Sequence, residues 1–383
     1  MPRPPRSRAR TSPIRSMTIA CARAGGVNLA QGVCDTPVPE LVRRAAQQAI
    51  EAGANTYTRA DGLPELRRAL AAKMRRDSRL DYDPEGEVVV TSGATGAFYV
   101  AAQALLGPGD EVVLFEPYYG YHRNTLEALG AVPVYVPLGE RDFALDLAAL
   151  ERALTPRTRA LVVNTPGNPS GKVFGRDELA ALGEIARARD LWLFTDEVYE
   201  HFVYDGRRHV SPASLPGLRE RTITMNALSK TFAITGWRIG WLAAPRALAE
   251  AFAHLHDLVY VCAPAPLQVA CAVGLERLDP EYYAAIGVEY QRKRDALCAA
   301  LADAGLEPRV PQGSYFALAE LGSLPGASGD ERALALLERA GVACVPGTAF
   351  WHGPEGDRVG RFCFGKTDED LAEACRRLRN IQV

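Results

Sequence analysis

The chain is short of lysine. Lysine and arginine together number 44, yet only Lys73, Lys172, Lys230, Lys293 and Lys366 are lysines. Chemistry that needs a side-chain amine therefore has five candidates. The eight cysteines are scattered from Cys21 to Cys375 and contain no Cys-x-x-Cys pair. That excludes the usual zinc spacing and a disulfide framework, and points to buried thiols in a reducing, cytoplasmic compartment. No metal is expected. No apolar run approaches the length of a membrane span, so no membrane contact is expected either. The arginine- and proline-rich stretch 1–11 lacks the apolar core of a secretory signal. Its prolines would break an amphipathic transit helix, so it reads as a disordered basic tail. Charge of one sign is missing too: the formal net charge is -2, which gives no global attraction to nucleic acid. No internal repeat is evident.

What is present is ordinary for a globular protein, with 48% hydrophobic and 23% charged residues. At 383 residues the chain can bury a large core and is expected to form two domains. Strand-like runs are read at Glu87 to Thr91, Glu111 to Phe115, Val132 to Val136, Ala160 to Val163, Leu191 to Thr195, Thr222 to Ala227 and Ile239 to Ala243. Helical runs lie between and after them. Ser12-Pro13 opens and caps a first helix that Gly25-Gly26 ends. A second follows Asp61-Gly62 and ends by Met74, and a long one runs from about Pro280 to Ala304 and links the domains.

The most loaded stretch runs from Asn226 through Ser229, Lys230 and Arg238 to Gly240. A strand delivers Lys230 among apolar and small residues. Burial disfavours an ammonium, so such a lysine tends towards the neutral, nucleophilic amine. Arg238 cannot be deprotonated and suits a fixed anion such as a phosphate. An amine beside a phosphate clamp is what a pyridoxal phosphate site requires. The alternative is a lysine in a surface loop. Ser92-Gly93-Ala94-Thr95-Gly96 stands between a strand and a helix, where backbone amides and the helix dipole favour a phosphate. It could equally be a degenerate dinucleotide fingerprint, although the full G-x-G-x-x-G is missing. Asp196 ends a buried strand, where ligands bind in open α/β sheets. Gly32 and Tyr57, taken alone, read as a turn glycine and a buried tyrosine.

Ser229-Lys230-Thr231-Phe232-Ala233-x-Thr235-Gly236-Trp237-Arg238-x-Gly240-Trp241 resembles the cofactor-lysine signature of the class I/II aminotransferases, the fold-type I pyridoxal phosphate enzymes. The loop Asn164-x-Pro166-x-Asn168-Pro169-x-Gly171 and the strings Glu116-Pro117-Tyr118-Tyr119, Pro346-Gly347-x-x-Phe350 and Arg361-Phe362-Cys363-Phe364 extend the likeness over nearly everything from Ser12 onward. The look is closest to the branch that handles kynurenine, glutamine and methionine. The resemblance implies an α/β fold. A large domain, 45–280, would carry a mostly parallel seven-stranded sheet between helices. A smaller α+β domain, 281–383, would be joined by the N-terminal segment 12–44. It further implies that Lys230 carries pyridoxal 5'-phosphate and that Ala94, Thr95, Ser229 and Arg238 hold its phosphate. Tyr119 would stack on the ring, Asp196 face its nitrogen, and Asn168 and Tyr199 reach its phenolate oxygen. Gly32, Asn168 and Arg361 would meet the substrate, Arg361 taking the carboxylate by a bidentate pair. Tyr57 would reach the phosphate of a second subunit in a homodimer. One position departs from the pattern. Many relatives carry a serine three residues before the lysine; here it is Ala227, with Ser229 or Thr231 as the substitutes.

The implied reaction moves an amino group from an L-amino acid to a 2-oxo acid in two half-reactions. Lys230 would carry the proton at Cα. Tyr57, Phe98, Tyr99 and Tyr260 would give an aromatic side-chain pocket. A β-eliminating lyase of the same fold is the nearest alternative. A nicotinamide oxidoreductase built on the Gly93 turn has no use for Lys230, Arg238 and Arg361. A ligand sensor of this fold would need a DNA-binding domain that the basic tail is too short to supply.

Overall fold

The structure is a computed structural model that describes residues 12–381; the expected basic tail lies outside them. Two compact units are present. The larger is Val33–Gln291 with Gln312–Ser314; the other takes the described residues up to Gly32, Arg292–Pro311, and those from Tyr315 on. The divisions fall at 32/33 and 291/292, compared with the 44/45 and 280/281 expected. Packing explains the shift. Val42, Ala45 and Ala46 of the helix Glu40–Glu51 share one apolar core with Cys271 and Leu275 of the helix Ala265–Arg277. The helix Pro280–Asp303 is continuous, and its Tyr282 and Tyr283 pack on that same core, so the division falls inside it.

The large unit is built on seven strands. They are β1 (Val88–Ser92), β2 (Glu111–Glu116), β3 (Val132–Pro137), β4 (Thr158–Asn164), β5 (Trp192–Asp196), β6 (Thr222–Ala227) and β7 (Ile239–Ala243). Their order in the sheet is β1-β7-β6-β5-β4-β2-β3. Neighbours from β6 to β3 run parallel, while β7 is antiparallel to both β1 and β6. The connection 228–238 is too short for the crossover of about a dozen residues that a parallel partner needs, so β7 turns back. The central strands are largely apolar in their middles because both faces are covered, whereas the edge strand β3 is only partly buried. Val113, Leu161, Val163 and Leu193 enter one core, and Val112, Leu114, Val162 and Phe194 the other. This alternation is the period-two register of the strand.

In the second unit an antiparallel sheet runs Val345–Pro346, Val359–Cys363, Phe316–Glu320, Pro308–Arg309. Val27–Asn28 pairs in parallel with Val342–Ala343. The run Val342 to Val345 is thus divided between two sheets. Arg361 does not open its strand: Val359 and Gly360 precede it, paired with Glu320 and Ala319, and Arg361 lies buried between Leu318 and Val345. The helix Pro13–Ala24 ends on a left-handed Gly25 as expected, but the Ser12 side chain does not cap it. The helix Pro64–Ser78 continues past Met74 to a left-handed Arg79.

Candidate active site

The carboxyl ends of three parallel strands meet in the large unit. β4 ends on Asn164, which is paired with Asp196 at the end of β5, and Asp196 is paired with Met225 of β6. β6 then passes Ala227 and makes one helical turn, Leu228–Thr231, that carries Ser229 and Lys230. These ends line a cleft of ≈ 660 Å³. Lys230, Asp196, Asn168, Tyr199, Tyr119, Ala94, Thr95, Ser229 and Arg238 all line it. Nine residues from separate stretches between Ala94 and Arg238 are thereby brought to one place. Lys230 is only half-buried, with Nζ 5.9 Å from the centre of the Tyr199 ring. It is less enclosed than its apolar neighbours suggested.

One end of the cleft suits an anion. The helix Gly93–Leu105 begins there with no side-chain cap and no acidic residue in its first turn. Its dipole and first amides therefore face the cleft uncompensated. Arg238 lies against this start, with Nη1 donating to the Thr235 carbonyl at 3.0 Å. Gly93 has φ +69°, a left-handed conformation that favours glycine, and a Cβ there would crowd the Arg238 guanidinium. A Cβ on Gly240 would stand 2.4 Å from the Gly93 carbonyl carbon, which is how closely β7 supports the turn. His256 braces it as well: its Nε2 accepts from the Ser92 amide at 3.1 Å, and burial lowers its pKa towards the neutral ring. The Ser229 hydroxyl is buried here with no hydrogen-bond partner among the described residues. Helix start, guanidinium and unused hydroxyl together fit the phosphate of the implied cofactor. Thr231 is buried but does not line the cleft, so of the two substitutes for a serine at Ala227 the geometry supports Ser229.

The other end holds a buried carboxylate. Asp196 Oδ2 lies 3.1 Å from His122 Nε2, and the Val198 amide donates to Oδ1 at 3.4 Å. The His122 ring is held by Phe98 at 4.4 Å and by the Tyr119 edge at 5.2 Å. Asn164 accepts from the Asn168 amide at 2.7 Å and donates to the Asp196 carbonyl at 3.0 Å, fixing loop and strand together. Three proline peptides nearby are cis: Glu116-Pro117, Thr165-Pro166 and Asn168-Pro169. His122 and Asn164 are residues that the sequence reading gave no role. His122 stands one helical turn from Tyr119, a spacing that puts both on one face, and this was the available signal.

The aromatic neighbours sort clearly. Tyr119 lines the cleft, stacked on Tyr121 at 5.3 Å, and Tyr121 lines it too, half-open to solvent, not in the core. Tyr118 is in the core beside Tyr135. Of the rings expected in a side-chain pocket, Phe98 lines the cleft; Tyr57, Tyr99 and Tyr260 do not. Tyr57 is 82% exposed. Glu197, next to Asp196, points into a separate network, where His209, Ser211 and Thr195 donate to it.

The other two expected residues belong to the second unit. Arg361 is buried there, its guanidinium 4.2 Å from the Phe316 ring centre and 4.9 Å from that of Phe350, and it donates to the Ala30 carbonyl at 2.7 Å. Two rings fix the plane of the fork, as bidentate recognition of a carboxylate requires. A Cβ on Gly32 would stand 2.8 Å from Phe316 Cζ, so glycine is required beside that ring.

Comparison with known proteins agrees with this geometry. The family model "Aminotransferase class I and II" matches residues 24–378. The chain is 42% identical over 379 residues to a probable N-succinyldiaminopimelate aminotransferase of Mycobacterium tuberculosis, covering 96% of this chain and 95% of that one. It is 35% identical over 390 residues to human kynurenine–oxoglutarate transaminase 1, covering 93% and 92%. The solved structure of YbdL from Escherichia coli, described as having a methionine aminotransferase function, superposes with a TM-score of 0.94 at 31% identity, covering 99% of this chain and 100% of that one. The match to the family model takes in the strands and every residue that lines the cleft, and the chain belongs to the class I and II aminotransferases.

Proposed function

We infer that the cleft holds pyridoxal 5'-phosphate and that the chain uses it to move amino groups between an L-amino acid and a 2-oxo acid. The observation that carries the cofactor is the cradle of the Gly93 helix start, Arg238 and the unpartnered Ser229 hydroxyl in the same cleft as Lys230. When bound, the cofactor supplies an aldehyde for the amine and a ring that takes up the electrons of the bond broken at Cα. Lys230 Nζ is the amine that holds the aldehyde. The same amine would move the proton at the substrate Cα, as general base and then as general acid. Asp196, backed by His122, holds a proton at the ring nitrogen. A carboxylate anchored by a histidine and a backbone amide stays oriented as charge develops. Asn168 and Tyr199 donate to the phenolate oxygen, and Tyr119 covers the ring face. Arg361 takes the substrate carboxylate, with Gly32 leaving room beside it. Because the first partner leaves its amino group on the enzyme before the second arrives, the enzyme would alternate between two forms and show ping-pong kinetics.

The enzyme acts as a homodimer in the cytoplasm on this reading. Tyr57 is exposed and away from its own cleft, as a residue supplied to a second copy must be. Leu258, Val259 and Val261 are exposed apolar side chains that a partner would cover. Among the described residues no helix is long and apolar enough to cross a membrane.

For the donor, Phe98 and Tyr121 on the cleft wall favour an aromatic, glutamine-like or sulfur-containing side chain. The 42% identity to the mycobacterial protein favours a second class, a long acylated diamino acid. A donor screen separates them: L-kynurenine, L-methionine and L-glutamine against N-succinyl-L,L-diaminopimelate, each with 2-oxoglutarate or pyruvate. Turnover of neither class overturns both assignments. Pyruvate and ammonia released from a cysteine conjugate without any acceptor, and no product amino acid, would turn the reading to β-elimination.

A further inference from the structure

The parallel ladder between β5 and β6 stops short of the turn that carries Lys230. Its last pair is Asp196 with Met225, and β5 then turns away. Asn226 and Ala227 continue β6 with only β7 alongside, paired with Trp241 and Gly240. Backbone groups of successive strand residues point to opposite sides. The Met225 carbonyl accepts from the Glu197 amide at 2.9 Å, so the Ala227 amide, two residues on, faces the side that β5 has left. Ala227 is buried, and its amide would be an orphan there. The Asn226 side chain takes the place of the missing strand: its Oδ1 accepts from the Ala227 amide at 2.7 Å. Its Nδ2 donates to Glu200 Oε1 at 2.7 Å, and the other oxygen of Glu200 lies 2.7 Å from Lys73 Nζ.

The Asn226 amide serves only one way round. Turned over, its NH2 would meet the Ala227 N–H and its oxygen the Glu200 carboxylate. Both ends of this staple lead to the cleft. Glu200 follows Tyr199 in the chain, and Ala227 opens the turn Leu228–Thr231 without a side-chain cap of its own. The bond between residues 226 and 200 therefore sets the spacing of the segment that carries Lys230 from the segment that carries Tyr199. Lys230 Nζ lies 5.9 Å from the centre of the Tyr199 ring. Lys73 holds Glu200 from behind, so the carboxylate is not free to swing away.

We propose that Asn226, held by Glu200, is a positioning residue for the reaction: it fixes the turn that presents Lys230 against the segment that presents Tyr199. The inference rests on the reading of Lys230 as the amine that holds the cofactor and of Tyr199 as a donor to its phenolate oxygen. A phenol held at that oxygen draws off the negative charge that would keep a proton on the neighbouring nitrogen. Loosening the staple therefore raises the proton affinity of that nitrogen.

The test is a pH titration of the visible band of the cofactor-loaded protein, with no substrate present. Asn226→Leu is close to the parent in size and leaves Asp196, His122, Tyr199 and Arg238 in the cleft unchanged. Its midpoint should rise by about half a pH unit or more. Its kcat should fall about tenfold with little change in the KM for the amino donor, because Arg361 still takes the carboxylate. In Asn226→Asp two carboxylates face each other and the staple is broken. In the double variant Asn226→Asp/Glu200→Gln the amide and the carboxylate change places and the hydrogen bond returns, so midpoint and kcat should move back towards the parent. Thermal melts identify any loss of fold, and should Asn226→Leu not fold, the double variant against Asn226→Asp decides alone. An unmoved midpoint in Asn226→Leu, or a double variant no better than Asn226→Asp, overturns the proposal. A parent that takes up pyridoxal phosphate without any band overturns the cofactor reading, and this inference with it.

Discussion

Two lysines of the large unit make opposite use of burial. Lys73 is the more enclosed, 1% exposed, with two carboxylates within 3.0 Å. Burial alone would lower its pKa, yet Glu200 and Asp77 outweigh that and the pKa is raised. The same pairing holds the Glu200 carboxyl down to about 2 against the upward push of burial. Lys230 is only half-buried and lines the cleft. The lesson is that depth does not make an amine reactive. A lysine closed in with carboxylates is a fixed cation that supports the fold, while one that borders an open cleft can be reached by an aldehyde.

The largest effect that separates the two is on chemistry. Lys230→Ala is expected to abolish the visible absorbance of the cofactor-loaded protein and to lower kcat by a factor on the order of 10³ or more. Lys73→Met should retain the absorbance band and instead lose stability, by about 3 kcal/mol, because the enclosed Glu200 carboxylate is left without its cation. Spectra and thermal melts of both variants check the pair. If Lys73→Met bleaches the protein while melting normally, the assignment of the two amines is reversed. Next in size is Arg361→Ala. It should keep the band but raise the KM for the amino donor about 10- to 100-fold, since a charge-assisted hydrogen bond is worth about 1.5–3 kcal/mol. Steady-state kinetics with the best donor read this directly.

Sequence reading fared differently around these two lysines. The strands, the Gly93 turn and Asp196 were legible because each rests on a local pattern: a β-branched run, a glycine turn before a helix, a carboxylate at a strand end; Tyr119, Asn168 and Tyr199 were legible only through the family resemblance. Thr222–Ala227 and Ile239–Ala243 lie where the run of residues puts them. The network around Lys73 was legible only in part: Asp77 stands four residues on in the same helix, but Glu200 reaches Lys73 from a separate segment that no local period marks. His122 was missed for a related reason: its partner Asp196 is brought near only by the sheet order. The place of Arg361 in the middle of a strand was not legible either, because the pairing of Val359 and Gly360 with Phe316–Glu320 is non-local.

The Lys73 region also predicts how acid unfolds the protein. Burial lowers the His201 pKa to about 4. The folded protein resists protonating this ring and the unfolded chain does not. His201 therefore leaves stability intact above the ordinary value of 6.5 and draws it down as pH falls from there towards 4, by on the order of 3 kcal/mol. Glu200 acts lower: its contribution is full above 4.5 and is lost as pH falls towards about 2. Denaturant midpoints between pH 7 and 4 should fall for the parent and fall less for His201→Gln. An equal slope in both would remove the histidine from the acid response.

The smallest expected effect asks how the cleft manages without the serine that many relatives have at Ala227. Ser229 and Thr231 are both buried hydroxyls one residue either side of Lys230. Only Ser229 lines the cleft, and only its hydroxyl is without a partner among the described residues. If it donates to the cofactor phosphate, Ser229→Ala removes one hydrogen bond, worth about 0.5–1.5 kcal/mol, and weakens cofactor affinity about three- to tenfold. Thr231→Ala should leave affinity unchanged. Ala227→Ser adds a hydroxyl to the same wall, and in the Ser229→Ala background it should recover part of the loss. Equilibrium dialysis against pyridoxal phosphate distinguishes the cases. A loss in Thr231→Ala with none in Ser229→Ala would mean that the helical turn after β6 presents its other face to the phosphate, and the cradle would have to be rebuilt around that residue.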